Sequence, residues 1–417
     1  MKRINIRNTC LFAVVAGLLL ALASCSHKNE FVEIVSADKT KPAPISEYNV
    51  SNFNGGAFIT YKLPKVDNIL YVQADYDLSG GTNRHVQTRS SYFSDTITVE
   101  GFEDAREYEV KLTVVSRANI PSDPITVKVQ PDIPVYQLVA KNLTMEPDFQ
   151  GVRILAVNEN RKNVGIVFLD DQLGNYSIRQ QNFSDFQNVS YAIRGYDTIQ
   201  KVFAAYVTDK WGNRSDTVFT SIKPLFEKAL DKKKFARYAL ASETPIYNNN
   251  TQYPLSNLWD GNYTNFWHTI QNSATVTMPV YGTFNLGTAA KLSRFKFTPR
   301  NPNYEYRHGC PKLFTIWASD AAAPADFVVP LQSAEGTRIG DWVNLGNYEY
   351  PNPPSGAAPG LSSYSLQSDK DFFNKGIEFN FPFSVTKFRY IRFAVSETFT
   401  PGTFTHGAEI DVYGDDR

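Results

Sequence analysis

The amino-acid sequence predicts an all-β chain built from successive sandwiches, and three observations carry that prediction. Segments alternating between polar and apolar residues recur from residue 57 onward, the pattern of strands with one face on a core and one in water. Tyr 23 and Phe 29 stand against only 3 Met among 417 residues, a composition that fills pleated sheets better than helical bundles. A unit of roughly ninety residues also occurs twice in tandem, and a chain of this length has room for two to four domains.

Residues 1–24 read as a signal peptide. Lys2, Arg3 and Arg7 precede an apolar stretch, Leu11 to Leu22, that is too short for a structural membrane span. The stretch ends Leu22-Ala-Ser-Cys25, which resembles a bacterial lipobox. That resemblance implies cleavage before Cys25, diacylation of its thiol and anchoring by acyl chains. Residues 25–42 then form a polar tether, and its start, Ser26 to Glu30, resembles the surface-export signal of Bacteroidetes lipoproteins. Charge is balanced at 42 against 42, and without residues 1–24 it stands at 39 basic against 42 acidic. No basic excess is left to neutralise phosphates, which argues against a nucleic-acid partner. Processing leaves Cys310 as the one free thiol, so no intramolecular disulfide can form despite a non-cytosolic location. Between Gly309 and Pro311, Cys310 reads as small buried filler.

Residues 43–131 hold the first sandwich. Its strands are Ala57–Leu63, Leu70–Tyr76, Thr96–Val99, Tyr108–Val115 and Ile125–Val129, separated by turns such as Ser79-Gly-Gly81 and Asn119-Ile-Pro121. Residues 132–225 repeat the unit. Gly56 recurs as Gly151, Gly101-Phe102 as Gly195-Tyr196, Asn119 as Asn213, Ser122-Asp123 as Ser215-Asp216 and Pro131 as Pro224, always 93 to 95 positions on. Both units resemble fibronectin type III modules, of the immunoglobulin-like sandwich class. Asp209-Lys-Trp-Gly-Asn213 fits a hairpin turn, with Trp211 a packed turn aromatic rather than a ligand platform. The spacing of Phe226, Leu230 and Phe235 predicts one short helix over 226–238, the only one in the mature chain, with Lys232-Lys-Lys234 on its solvated face.

Residues 226–417 hold the densest chemistry. Asn257 to Thr269 packs an Asp260-Gly261 turn, Trp259, Trp267 and His268 into thirteen residues with no regular period, as a binding loop pinned by large anchors would. Leu258-Trp-Asp-Gly261, Phe284-Asn-Leu-Gly287, Phe297-Thr-Pro-Arg300, Lys312 to Ser319, Trp342 to Gly346, Phe388 to Arg392 and Glu409 to Gly414 follow in order. This series resembles a discoidin-type jelly roll, the coagulation-factor type C fold shared by family-thirty-two carbohydrate-binding modules. The whole order, two fibronectin-like units and then a discoidin-like module, resembles lipoproteins of Bacteroidetes polysaccharide-utilisation systems. The resemblance implies an outer-membrane, cell-surface protein that binds a polysaccharide or oligosaccharide beside a starch-utilisation-type transporter pair.

By position, the resemblance assigns glycan contacts to His268, Arg300, the loop carrying Tyr304, Tyr306, Arg307 and His308, and Phe399 or Phe404. A sugar site needs an aromatic face against C–H surfaces with planar donors and acceptors beside it, and this set supplies them. The family's amide position falls near His308-Gly309, a departure that bears on any galactose-type specificity. For His268 a satisfied structural histidine is an equal reading. Trp267 and Trp317 belong to the core. The resemblance also implies a structural Ca²⁺ at Asp260, Asn265 and Glu409 with backbone carbonyls, although Asn265 stands where the family has Thr. The alternative is that Asp260 caps its turn and Glu409 pairs with a nearby base. Catalysis has little support: Glu409 and Asp411 share a strand face without an evident cleft, and no nucleophile elbow, phosphate loop or His-x-x-x-His pattern occurs. The chain reads as a binder rather than an enzyme. A surface adhesin that binds another protein through the fibronectin-like units is the second reading.

Overall fold

A computed structural model of the chain describes residues 36–417 except 67, 79–83, 173, 250, 272, 301, 361–365 and 385. The signal segment, Cys25 and the Ser79-Gly-Gly81 turn lie outside the described residues. No helix among those described is long and apolar enough to cross a membrane.

Seven strands follow from the first alternating region: β1 (Tyr48–Phe53), β2 (Gly56–Tyr61), β3 (Ile69–Asp77), β4 (His85–Ser91), β5 (Thr96–Glu100), β6 (Tyr108–Ser116) and β7 (Ile125–Val129). They form antiparallel sheets in the orders β1-β2-β5 and β4-β3-β6-β7. The inward residues Ala57, Ile59, Val72, Ala74, Val110 and Leu112 close the core between them.

A helix, α1 (Val135–Lys141), precedes the second unit. Its seven residues are too few for a legible period, but Val135, Tyr136 and Val139 are buried and the Tyr136 hydroxyl donates to the Glu103 carbonyl at 2.6 Å. Then come β8 (Thr144–Asp148), β9 (Gly151–Val157), β10 (Val164–Gln172), β11 (Asn175–Ser184), β12 (Asn188–Arg194), β13 (Lys201–Thr208) and β14 (Val218–Ile222). Their sheets, β12-β9-β8 and β11-β10-β13-β14, repeat the first unit's topology. The repeat reaches single bonds. Ser122 Oγ accepts from Val114 N at 3.0 Å, and Ser215 Oγ accepts from Val207 N at 2.9 Å. Gly101 and Gly195 share φ of 98° and 100°, and at Gly101 a Cβ would also lie 2.7 Å from the Trp211 ring. Trp211 is thus the packed turn aromatic that joins the two units, helped by Arg84 Nη1 donating to Asn213 Oδ1 at 2.8 Å.

The outward faces of the two four-stranded sheets differ. In the first unit Gln73 and Asp75 on β3 lie opposite Arg89 and Gln87 on β4, and Thr113 and Lys111 on β6. In the second, 94 positions on, Val167 and Leu169 on β10 lie opposite Gln181 and Ile178 on β11, and Tyr206 and Ala204 on β13. Tyr176, Ile178, Val202 and Phe219 stand exposed on that apolar face.

The terminal unit has strands β15 (Lys228–Ala229), β16 (Ala236–Arg237), β17 (Trp267–His268), β18 (Val280–Thr298), β19 (Pro311–Ser319), β20 (Arg338–Ile339), β21 (Trp342–Glu349), β22 (Ile377–Asn380), β23 (Lys387–Thr398), β24 (His406–Gly407) and β25 (Glu409–Asp415), with α2 (Gln367–Asn374) before β22. The main sheet runs β15-β25-β18-β23-β19-β21-β20, with β16 and β22 also on β18. This is a discoidin-type jelly roll. β18 is long enough to bend through both layers because its register breaks between Asn285 and Ala290, where Gly287 has φ 74° and sits against the Lys234 carbonyl. Phe284, Phe295, Phe297, Phe314, Ile391 and Phe393 fill the interior.

Residues 226–238 are not a helix. β15 pairs with β25, Lys232–Lys234 make a single 3-10 turn, and β16 pairs with β18. Leu230 and Phe235 do enter the core, so the apolar spacing was real; the sheet edges supplied the backbone partners that a helix would have supplied itself. Glu227 pins this segment to the unit before it. Its buried carboxylate accepts from Arg194 Nη1 at 2.8 Å, Ser293 Oγ at 2.5 Å and Arg294 Nη2 at 2.9 Å.

Candidate functional site

The rim of the jelly roll is assembled by loops whose ends the sequence ties down. Leu258, Trp259 and Trp267 are buried, and Asn257 Nδ2 donates to the carbonyls of Gln252 at 3.0 Å and Phe266 at 2.9 Å. The loop therefore closes on itself and emerges as β17, which pairs with β24 so that His268 faces His406. Arg300 stands two residues beyond the end of β18. Its guanidinium lies 3.9 Å from the Phe266 ring centroid and 3.7 Å from that of Tyr304, and Phe266 stacks in turn on Tyr253 at 4.8 Å. Burial lowers the Arg300 pKa from its ordinary value, and the flat faces of two rings offset part of that cost.

Beside this clamp, the His268 ring stacks on Phe404 at 5.4 Å and 3°. His268 Nδ1 lies 2.6 Å from the Thr269 carbonyl; a carbonyl only accepts, so Nδ1 carries the hydrogen and Nε2 is an acceptor. His308 Nδ1 and His406 Nε2 share a hydrogen bond of 3.0 Å. The Cys310 thiol donates to the Tyr304 carbonyl at 3.2 Å and lies 3.7 Å from His406 Nδ1. Cys310 is thus buried filler that also braces the histidines. Positive φ at Asn303, Tyr306 and His308, of 71°, 54° and 56°, turns the loop sharply; Asn and His accept that region more readily than most residues, whereas the bulky Tyr306 is held there against its preference.

The structure brings together His268, Arg300, Tyr304, His308 and Phe404. Three other expected residues do different work. Tyr306 is fully buried, donating to the Asp369 carbonyl at 2.9 Å and packing on Phe373 at 4.6 Å. Phe399 is buried on Tyr306, Tyr350 and Phe373. Both are core anchors beneath the loop, turned inward in segments whose burial does not alternate and whose sequence therefore does not mark them. Arg307 donates to the Asn303 carbonyl, with Nε at 3.0 Å, and so clasps its own loop. His406, Phe266 and Tyr253 complete the site without having been singled out. The signal for His406 was its place near the chain end, where a last strand must pair with the loop holding His268.

The expected metal residues do not make a cation shell. Asp260 Oδ1 accepts from Asn262 N and Oδ2 from Asn265 Nδ2, each at 2.7 Å. Glu409 is fully buried, with Oε1 2.6 Å from Lys232 Nζ and Oε2 3.1 Å from Gly261 N. Lys232 also bonds Asp411, so the two acids that share a strand face are held by one ammonium. Lys232 is therefore an inward, paired lysine and not part of a solvated face. Among the described residues no group of three His, Cys, Asp or Glu is arranged to hold a metal.

All three histidines are held neutral. Burial, with smaller repulsion from Arg300 and His308, pushes His268 down to about 4. Burial and Arg300 also lower His308, and burial takes His406 well below its ordinary value. The unfolded chain protonates these rings near 6.5, and the folded chain only at lower pH. Between about 6.5 and 4 the unfolded state holds more protons, so stability falls as the medium is acidified. For His268 alone the difference is worth on the order of 3 kcal/mol. In melting curves between pH 6.5 and 4.5, the native chain is expected to lose more stability than a His268→Phe variant. Parallel curves would show that the ring's ionisation is not coupled to folding.

Three family models match the chain, and a search of curated proteins finds no match. Among solved structures, a SusE-like protein, BT2857, is 25% identical and matches 68% of this chain and 100% of its own, with a TM-score of 0.44. CBM32-3 of a family 31 glycoside hydrolase from Clostridium perfringens is 20% identical over 45% of this chain and 95% of its own, TM-score 0.31. The family 32 module of NanJ from C. perfringens, in complex with galactose, is 20% identical over 45% and 99%, TM-score 0.29. The matching family models tile the chain in order: DUF4959 over residues 42–131, DUF5126 over 132–233 and DUF5000 over 259–414, each described as a domain of unknown function.

Proposed function

We propose that this chain is a lipid-anchored, cell-surface glycan-binding protein of a polysaccharide-uptake system, binding without catalysis through the jelly-roll rim. The observation that carries the reading is the Arg300 guanidinium clamped between Phe266 and Tyr304, beside the His268–Phe404 stack. A fixed fork of N–H donors, a neutral ring nitrogen that accepts, and half-buried aromatic faces together match a sugar's hydroxyl groups and C–H surfaces. The jelly roll, the two sandwiches before it and the lipobox-like Cys25 fit a binder held away from a membrane, next to a transporter pair that would take the captured glycan. Affinity electrophoresis of the chain from residue 26 against plant, host and microbial polysaccharides tests it. Retardation on at least one glycan is expected; free migration on every one, with folding verified, would remove the reading.

The apolar outer face of β10, β11, β13 and β14 favours a second role, as a scaffold for another protein. Apart from Gln181, the paired positions that are polar in the first unit are apolar here, and exposed apolar patches of this kind mark protein contacts. The partner would present an apolar, uncharged surface. An Ile178→Lys, Phe219→Lys variant is expected to lose that partner from outer-membrane extracts while keeping its glycan. Unchanged capture would assign the binding elsewhere.

A further inference from the structure

The carboxylates beneath the Asp260-Gly261 turn are balanced from inside the chain. We propose that the Lys232 ammonium is a built-in cation for this acidic nest, and that the terminal unit therefore folds and holds its rim loop without calcium. The nest is Glu409, fully buried, with Asp411 two residues along β25 and Asp260 in the turn above. Calcium takes six to eight oxygens at about 2.3–2.6 Å, mixing carboxylates with backbone carbonyls of the same turn. Here the turn aims a hydrogen at the acid instead. Gly261 N donates to Glu409 Oε2 at 3.1 Å, and Lys232 Nζ takes Oε1 at 2.6 Å. The oxygens of Asp260 are occupied within the turn, by Asn262 N and Asn265 Nδ2 at 2.7 Å. A divalent ion could enter only by displacing the lysine and rotating the Gly261 peptide.

The segment that delivers the lysine is held on both sides. Leu230 N donates to the Val412 carbonyl at 2.8 Å, and Asp231 caps the 3-10 turn by accepting from Lys233 N at 3.1 Å. The Lys234 carbonyl rests against Gly287, where a Cβ would stand 2.4 Å away. Phe235 then packs on Phe284 at 5.9 Å and on Trp259 at 6.3 Å, in the wall of the rim loop itself. Lys232 thus arrives beside a residue 177 positions distant through an anchored turn, not by a free side chain reaching across the surface. One ammonium on two carboxylates, with a backbone hydrogen on the third oxygen, satisfies a buried acid in the way an ion would.

The experiment is melting of the full chain from residue 26 in EDTA and in calcium, with calcium titration calorimetry beside it. The native chain is expected to melt at the same temperature in both and to give no binding heat. Lys232→Met is expected to melt roughly 5–15 °C lower in EDTA, because Glu409 is left buried and unpaired. Lys232→Arg, which keeps the cation, is expected to recover most of that loss. A native chain stabilised by calcium, where an ion at about 100-fold its Kd would add roughly 5–10 °C, overturns the proposal. So does Lys232→Met melting with the native chain. If Lys232→Met does not fold, the native titration and the arginine variant decide alone.

Discussion

Arg300→Ala is expected to abolish retardation on any polysaccharide that retards the native chain, as the proposed rim site requires. The guanidinium is a cation at the centre of the rim, where His268, His308 and His406 are held neutral around it. A hydrogen bond from a charged group is worth about 1.5–3 kcal/mol, so losing it weakens binding roughly ten- to hundred-fold. For a binder of modest affinity that is loss of detectable retention. The variant should also melt a few degrees lower, because the side chain fills the slot between Phe266 and Tyr304 and each ring contact contributes about 0.5–2 kcal/mol. Arg300→Lys separates the two effects. It keeps the charge but not the flat fork, and should bind between the native chain and the alanine variant. Equal retention by all three would place the binding surface elsewhere on the molecule.

The β class and the repeat were legible because both rest on period-two alternation and turn residues, and those act over a few positions. Ser122 and Ser215 make the same bond at the same place, and two glycines share one φ. The convergence of His268, Arg300, Tyr304 and Phe404 was legible only through the resemblance, since local pattern says nothing about which loops meet. What escaped follows from the same limit. Tyr306 and Phe399 lie in loops, where no alternation separates a ring turned inward from one turned outward, and both turned inward onto Phe373. Residues 226–238 had helical spacing, yet their backbone groups found strands β25 and β18, partners 47 to 186 positions away in sequence. Lys232 was one basic residue among three in a row, and only the fold singles it out by placing Glu409 opposite.

Glu227→Ala is expected to cost about 3–5 kcal/mol, the loss that follows when one partner of a buried ionic cluster is removed and the others stay behind. The carboxylate is almost wholly buried and joins Arg194 of the second sandwich to Arg294 and Ser293 of the jelly roll. Among the described residues, Arg294 would keep Glu378, at 2.7 Å, and the Tyr413 face, at 3.7 Å, and Arg194 would lose the carboxylate that it bonds. Because the cluster spans two units, the effect should show in the shape of unfolding as well as in its midpoint. Calorimetry of the native chain is expected to melt these units together and the variant to melt them in two steps, with glycan retention preserved. Glu227→Gln, which keeps the shape and some hydrogen bonds without the charge, should fall between them. A native chain that already melts in two steps, with Glu227→Ala no less stable, would mean that the cluster does not couple the units. The rim's direction relative to the rest of the chain would then rest on contacts that survive the substitution: Gln150 Nε2 donating to the carbonyl of residue 227 at 3.2 Å, and Arg153 and Phe149 packed on Phe383.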